Sequence, residues 1–176
     1  PATATPTTSG VVPAANASTL LNDDRALTVS NPTVNEGSPV IVFAVTGAAG
    51  QYVQLALGAT TTGTDATLTG GTADIGQTLQ YFDGTSWVDY TPGSFVQIPS
   101  TGTTLLVRTT VVNDTTADNG ETFTLTATNT GTTSATGTGT IMDDGSGTIY
   151  TTANPTGSTP ATATPTTSGV VPAANA

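Results

Sequence analysis

The sequence predicts an all-β protein: an antiparallel β-sandwich of about seven strands with an inserted hairpin, flanked by extended Pro/Thr-rich linkers. Three observations carry that expectation. The chain is rich in Thr, which is β-branched and favours strands, while its 20 Gly and its Asp-Gly pairs punctuate it with turns. Short runs of alternating apolar residues and turn signals follow one another about every ten residues, the spacing of a sandwich. Helical periodicity is nearly absent, and no apolar run reaches the ~18 residues of a membrane helix.

Taken in order, the alternation predicts strands over Ala26–Val34, Val40–Thr46 and Gln51–Gly58, where Val53, Leu55 and Leu57 share a face. It predicts further strands over Ser94–Ile98, Thr103–Val112, Glu121–Thr128 and Thr136–Met142. In the sixth of these, Phe123, Leu125 and Ala127 point one way while Thr122, Thr124 and Thr126 point to solvent. Between the third and fourth lies an insertion, roughly Leu68–Tyr90, with a hairpin expected at Asp83-Gly84.

The charge balance narrows the partners. Twelve Asp+Glu stand against two Arg, Arg25 and Arg108, with no His and no Cys, for a net charge of −10. Such a chain is repelled by phosphate backbones and anionic lipid heads, so nucleic-acid binding and direct membrane insertion are not expected. The absence of Cys removes disulfides and thiolate sites and suits an exported protein that folds without oxidation. Catalysis needs a nucleophile and base, an activated water or a carboxylate pair flanking a cleft. With Cys, His and Lys missing, the chain is not expected to be an enzyme.

Self-identity sets the domain organisation. PATATPTTSGVVPAANA at Pro1–Ala17 recurs letter for letter at Pro160–Ala176. The chain therefore reads as one period of a tandem array plus the start of the next, an internal piece of something larger. The expected layout is a linker over residues 1–24, a sandwich over 25–147 and a second linker over 148–176, with 160–176 repeating 1–17. Joined across a repeat boundary, the linkers make about 36 residues, able to span roughly 110 Å when extended. Val11, Val12, Leu20 and Leu21 are apolar residues that a pure spacer does not need. They are candidates for self-association by adding an extended strand to a sheet edge, the alternative being a flexible or glycosylated spacer.

The segments Val34-Asn35-Glu36-Gly37, Gly63-Thr64-Asp65 and Val112-Asn113-Asp114 are followed by Asp118-x-x-Glu121-x-Phe123 and Gly139-Thr140-Ile141-Met142-Asp143-Asp144-Gly145. In that order and spacing, from about Asp23 to Gly145, the chain resembles the Calx-beta domains repeated in giant bacterial adhesins and surface proteins. The resemblance implies an Ig-like, Calx-beta-like sandwich and calcium at the acidic loops. The chain departs from that pattern in having Ala66 where the family places an aromatic, and in its insertion.

Strand parity, independent of family, places Glu36, Asp65, Asp114, Asp118, Glu121, Asp143 and Asp144 at one end of an alternating sandwich. Crowded carboxylates repel one another unless neutralised, and Ca²⁺, which takes six to eight oxygens in flexible geometry, is the expected ion. The competing reading is that these acids cap turns and keep the surface soluble. Tyr81, Phe82, Trp87 and Tyr90 cluster in the insertion, either as a ligand or subunit contact or as cover for an open sheet edge. The expected function is a structural repeat of a long extracellular filament, sheath or surface layer, partnered by neighbouring repeats of the same protein. The alternative is a spacer or ligand-binding module of an adhesin with flexible linkers.

Overall fold

A computed structural model describes residues 25–60, 65–69, 73–116, 118–150 and 161–162. Val11, Val12, Leu20 and Leu21 lie outside the described residues. The strands in chain order are β1 Thr28–Val29, β2 Thr33–Asn35, β3 Val40–Thr46, β4 Tyr52–Ala59, β5 Gln80–Phe82 and β6 Trp87–Asp89. They continue with β7 Val96–Gln97, β8 Thr104–Thr110, β9 Glu121–Asn129, β10 Ser134–Met142, β11 Thr148–Ile149 and β12 Ala161–Thr162. No helix occurs among the described residues.

Period-two patterning becomes two layers. Along β9 every odd-numbered residue is buried and every even-numbered one, all Thr, is half-exposed. One sheet has the order β1-β3-β8-β5-β6 and the other β12-β11-β2-β10-β9-β4-β7. Ile41, Phe43, Val45, Leu105 and Val107 from the first sheet join Val34, Val53, Leu55, Phe123 and Leu125 from the second in one buried cluster. Phe43 and Phe123 meet edge to face across it, with ring centroids 5.7 Å apart. The all-β sandwich expected from the sequence is the observed fold.

Several elements differ from expectation for identifiable reasons. The first expected strand, Ala26–Val34, is two strands in different sheets: β1 pairs with β3, and β2 runs parallel to β10 with Val34 beside Ile141. The chain changes sheets at Ser30-Asn31-Pro32, where Pro32 has no N–H for a continuous ladder. Gly137 makes the crossing possible, because a Cβ there would stand 2.2 Å from the Ser30 carbonyl oxygen. The parallel β2 makes the larger sheet mixed rather than purely antiparallel. Ser94–Ile98 contributes only the two-residue β7.

The insertion folds onto the smaller sheet. β5 pairs with β6 and, on its other side, with β8. Its turn follows the Asp-Gly expectation: Asp83 accepts hydrogen bonds from the Thr85 and Ser86 amides, both 2.8 Å, and Gly84 takes φ +101°. At the other end of the chain the sheet continues two residues beyond Gly147, into the expected linker, and the next residue is still packed against the fold. β11 runs parallel to β2, and Tyr150 is buried with its N–H donating to Ser38 Oγ at 3.1 Å. Gly147 allows this entry, with φ +89° and a backbone so close that a Cβ would lie 2.5 Å from the Val34 carbonyl carbon.

Candidate metal centre

β9 begins where several loops converge. Between β2 and β3, Glu36 donates its N–H to Met142 O at 2.9 Å and is buried; its Oε1 accepts the Asp114 N–H at 2.9 Å. Those two bonds tie the β2–β3 turn to the end of β10 and to the β8–β9 loop. Within that loop the Asp114 carboxylate accepts the Thr116 N–H at 2.6 Å. The Asp143 N–H donates to Asn119 Oδ1 at 2.9 Å, fixing the exit of β10 to the approach of β9.

The insertion supplies a further acid. Asp74 is buried; its N–H donates to Thr67 O and its C=O accepts the Val112 N–H, at 2.9 and 2.8 Å. Its carboxylate accepts the Thr67 N–H. Next to it Ile75 bridges to Val111, which anchors this stretch against the strand end after β8. The result is a cluster in which Asp74, Asp118 and Glu121 each offer one oxygen within 4.8 Å of the others.

Electrostatics identifies Glu121 as the least satisfied member. It is 6% exposed, and among the described residues no donor bonds to its carboxylate. Burial, then the charges of Asp74, Asp118, Asp114 and Glu36, push it up to about 8. Asp118 is held above the usual carboxylate range by burial and then by Asp74, Asp114 and Glu36. The chain's two Arg are elsewhere: Arg25 is exposed at the start of the described chain, and the Arg108 guanidinium lies over Trp87.

Of the residues singled out from sequence, Glu36, Asp114, Asp118 and Glu121 come together. Asp143 is buried at the adjoining end of β10. Asp65 is at the same end, bridged to Thr122, but it is exposed and takes a hydrogen bond from the Thr60 hydroxyl. Asp144 is exposed and caps its own turn through the Ser146 N–H at 2.9 Å and the Ser146 hydroxyl, contacts that hold it below the usual range. It serves the turn-capping role weighed above. Asp74 was not among the candidates, since parity assigns loops between regular strands and says nothing about a residue inside an insertion. Its signal was local: an Asp before a single apolar residue, Ile75, between Gly-Gly and Gly76.

The aromatic group divides. Phe82 and Trp87 pack 5.5 Å apart, and the Arg108 guanidinium sits 4.3 Å from the Trp87 ring while its Nε donates to Gln80 at 2.9 Å. Of the two readings, ligand or subunit contact and cover for an open edge, Tyr90 does not fit the first. It is buried, and its hydroxyl accepts the Leu55 N–H at 3.0 Å and donates to Ser94 O at 2.8 Å, pinning the insertion to β4.

Fold and site define a class: an all-β sandwich module with a carboxylate cluster at one end that could hold a metal ion. No family model matches the sequence, and comparison with curated proteins gives no match. Among solved structures it is similar to the apo-form Calx CBD1 domain, at 16% identity over 67% of this chain and 97% of that one, TM-score 0.41. It is also similar to CBD12 from CALX1.2, at 16% identity over 67% of this chain but only 44% of that chain, TM-score 0.42. A conjugative transposon lipoprotein from Bacteroides eggerthii matches at 10% identity over 65% of this chain and 95% of its own, TM-score 0.34.

Proposed function

We propose that this chain is a structural, non-catalytic repeat of a long extracellular tandem-repeat protein, building a filament, sheath or surface layer, and that calcium stiffens each sandwich at its acidic end. Its partners are neighbouring repeats of the same protein. The observation that carries the calcium reading is the buried Glu121 carboxylate, without a hydrogen-bond donor among the described residues and facing other acids. A buried charge without a partner is destabilising, and a cation is the simplest partner.

The residues fit that ion. Oxygens on opposite sides of Ca²⁺ stand about 4.6–5.2 Å apart, and the three clustered carboxylates offer oxygens within 4.8 Å. Asp114 and Glu36 add charge beside them. An oxygen-only set of this kind suits a hard cation rather than zinc or copper. Held there, the ion would join the insertion, the β8–β9 loop and the start of β9, stiffening that end of the sandwich. Exact repetition supports the structural role, since identical copies add length rather than new chemistry.

Thermal melting of the chain with excess Ca²⁺ and with chelator tests the reading. The midpoint should rise with Ca²⁺ in the parent protein and not in Asp118→Asn/Glu121→Gln. Identical midpoints for the parent in both conditions would remove the calcium role.

A further inference from the structure

The larger sheet ends on a strand that lies in a segment the chain contains twice. β11 pairs parallel with β2 on one side; on the other it takes β12 antiparallel, with Thr148 beside Thr162 and Ile149 beside Ala161. Ala161-Thr162 belongs to the Pro-Ala-Thr-Ala-Thr segment at 160–164, which also stands at 1–5. Position 162 of one repeat is thus position 3 of the next.

We infer that β11 is a strand-acceptor edge whose partner is the Pro-Ala-Thr-Ala-Thr segment of the following copy, so that each sandwich is completed by the first residues of its neighbour. The inference rests on the tandem-array reading above, but not on calcium. Fold boundary and sequence repeat then do not coincide: the opening residues of every repeat belong to the sheet before it. The connection is a backbone ladder, so a repeat junction is a hydrogen-bonded joint.

Backbone chemistry supports this occupant. A bare β11 would present unpaired N–H and C=O groups, the kind of edge that recruits foreign strands. The segment that covers it is bracketed in sequence by Pro160 and Pro165, which donate no N–H, so once seated it offers a poor template for further addition. Because recognition runs through the main chain, any copy of the segment is chemically competent, including residues 1–5 of a second molecule. Chains that meet end to end can therefore join as consecutive repeats do.

Two Cys variants of the full chain test it, aided by the absence of native Cys. Paired residues of an antiparallel ladder stand within disulfide reach. Thr148→Cys/Thr162→Cys should oxidise to a monomer with an internal disulfide; failure to close would overturn the edge pairing. The second variant carries Thr3→Cys and Thr148→Cys, with Ala161→Pro and Thr162→Pro to vacate the edge. Successive N–H groups point to opposite sides, so the two prolines remove whichever faces β11.

This second variant should give a ladder of disulfide-linked oligomers on a non-reducing gel. Free thiols on a monomer, or a disulfide closed within one chain, would overturn the copy-to-copy assignment. Circular dichroism of both reduced variants should match the parent, and their calcium-dependent melting should persist, which separates failure here from failure of the calcium reading.

Discussion

The two ends of β9 solve the same problem in opposite ways. Both bury polar side chains where strands give way to loops: Asn129 and Gln51 at one end, Glu121, Asp74 and Glu36 at the other. At the Asn129 end the groups are neutral amides, each used as donor and acceptor. Asn129 accepts the Thr133 N–H at 2.9 Å and donates to Arg25 O at 3.1 Å, while Gln51 accepts the Ala48 N–H at 2.9 Å and donates to the same carbonyl at 3.0 Å. At the Glu121 end the groups are acids, which only accept when ionised, and among the described residues no donor bonds to the Glu121 carboxylate. One end is closed by the chain's own backbone. The other gathers acids whose burial and mutual repulsion push Glu121 up to about 8, which makes it the end expected to respond to pH.

The middle of the strand sets the scale against which both ends are judged. Phe123→Ala removes a fully buried ring and its contact with Phe43, and should cost about 3–5 kcal/mol in denaturant unfolding, with or without calcium. A loss below 1 kcal/mol would mean that the two sheets do not share the core described.

Next in size is the calcium response. At free Ca²⁺ a hundredfold above Kd, the native state should gain about 2.7 kcal/mol. The proton competes for the same site. Glu121 titrates near 8 in the fold against an ordinary value of 4.5, so across that window the native chain holds a proton that the unfolded chain has released. Calcium-free protein should therefore lose stability as pH rises from about 5 to about 8, and Ca²⁺ should stabilise it more at pH 8 than at pH 5. Glu121→Gln should flatten the calcium-free profile. A parent profile that is already flat would show that Glu121 is not held protonated.

At the opposite end, Asn129→Ala leaves the Thr133 N–H without its acceptor and should cost about 1–3 kcal/mol, by the same amount with calcium and with chelator. A calcium-dependent cost would break the contrast between the ends. The smallest effect is expected of Asp144→Asn, which keeps a side-chain acceptor for the Ser146 N–H. Its melting midpoint and its calcium shift should both match the parent. A reduced shift would bring Asp144 into the ion site.

The alternation of Phe123, Leu125 and Ala127 with Thr, and of Val53 and Leu55 with Tyr52 and Gln54, made the central strands legible, because a period of two is a property of the strand itself. Val40–Thr46, a continuous apolar run of strand length rather than an alternating one, also forms as expected. The convergence of Glu36, Asp114, Asp118 and Glu121 was legible too, since in an antiparallel sandwich strand order dictates the end at which each loop emerges. The change of sheet at Ser30–Pro32 was not, because a strand that crosses layers keeps local alternation while exchanging partners. Asp74 was hidden for a related reason: its place follows from the pairing of Ile75 with Val111, a contact between residues far apart in sequence. The exact recurrence of Pro1–Ala17 at Pro160–Ala176 is legible from the letters alone. That Ala161-Thr162 pairs with the edge of β11 depends on which backbone groups a folded sheet leaves open, and hydrogen bonds between distant strands exist only once the layers have assembled.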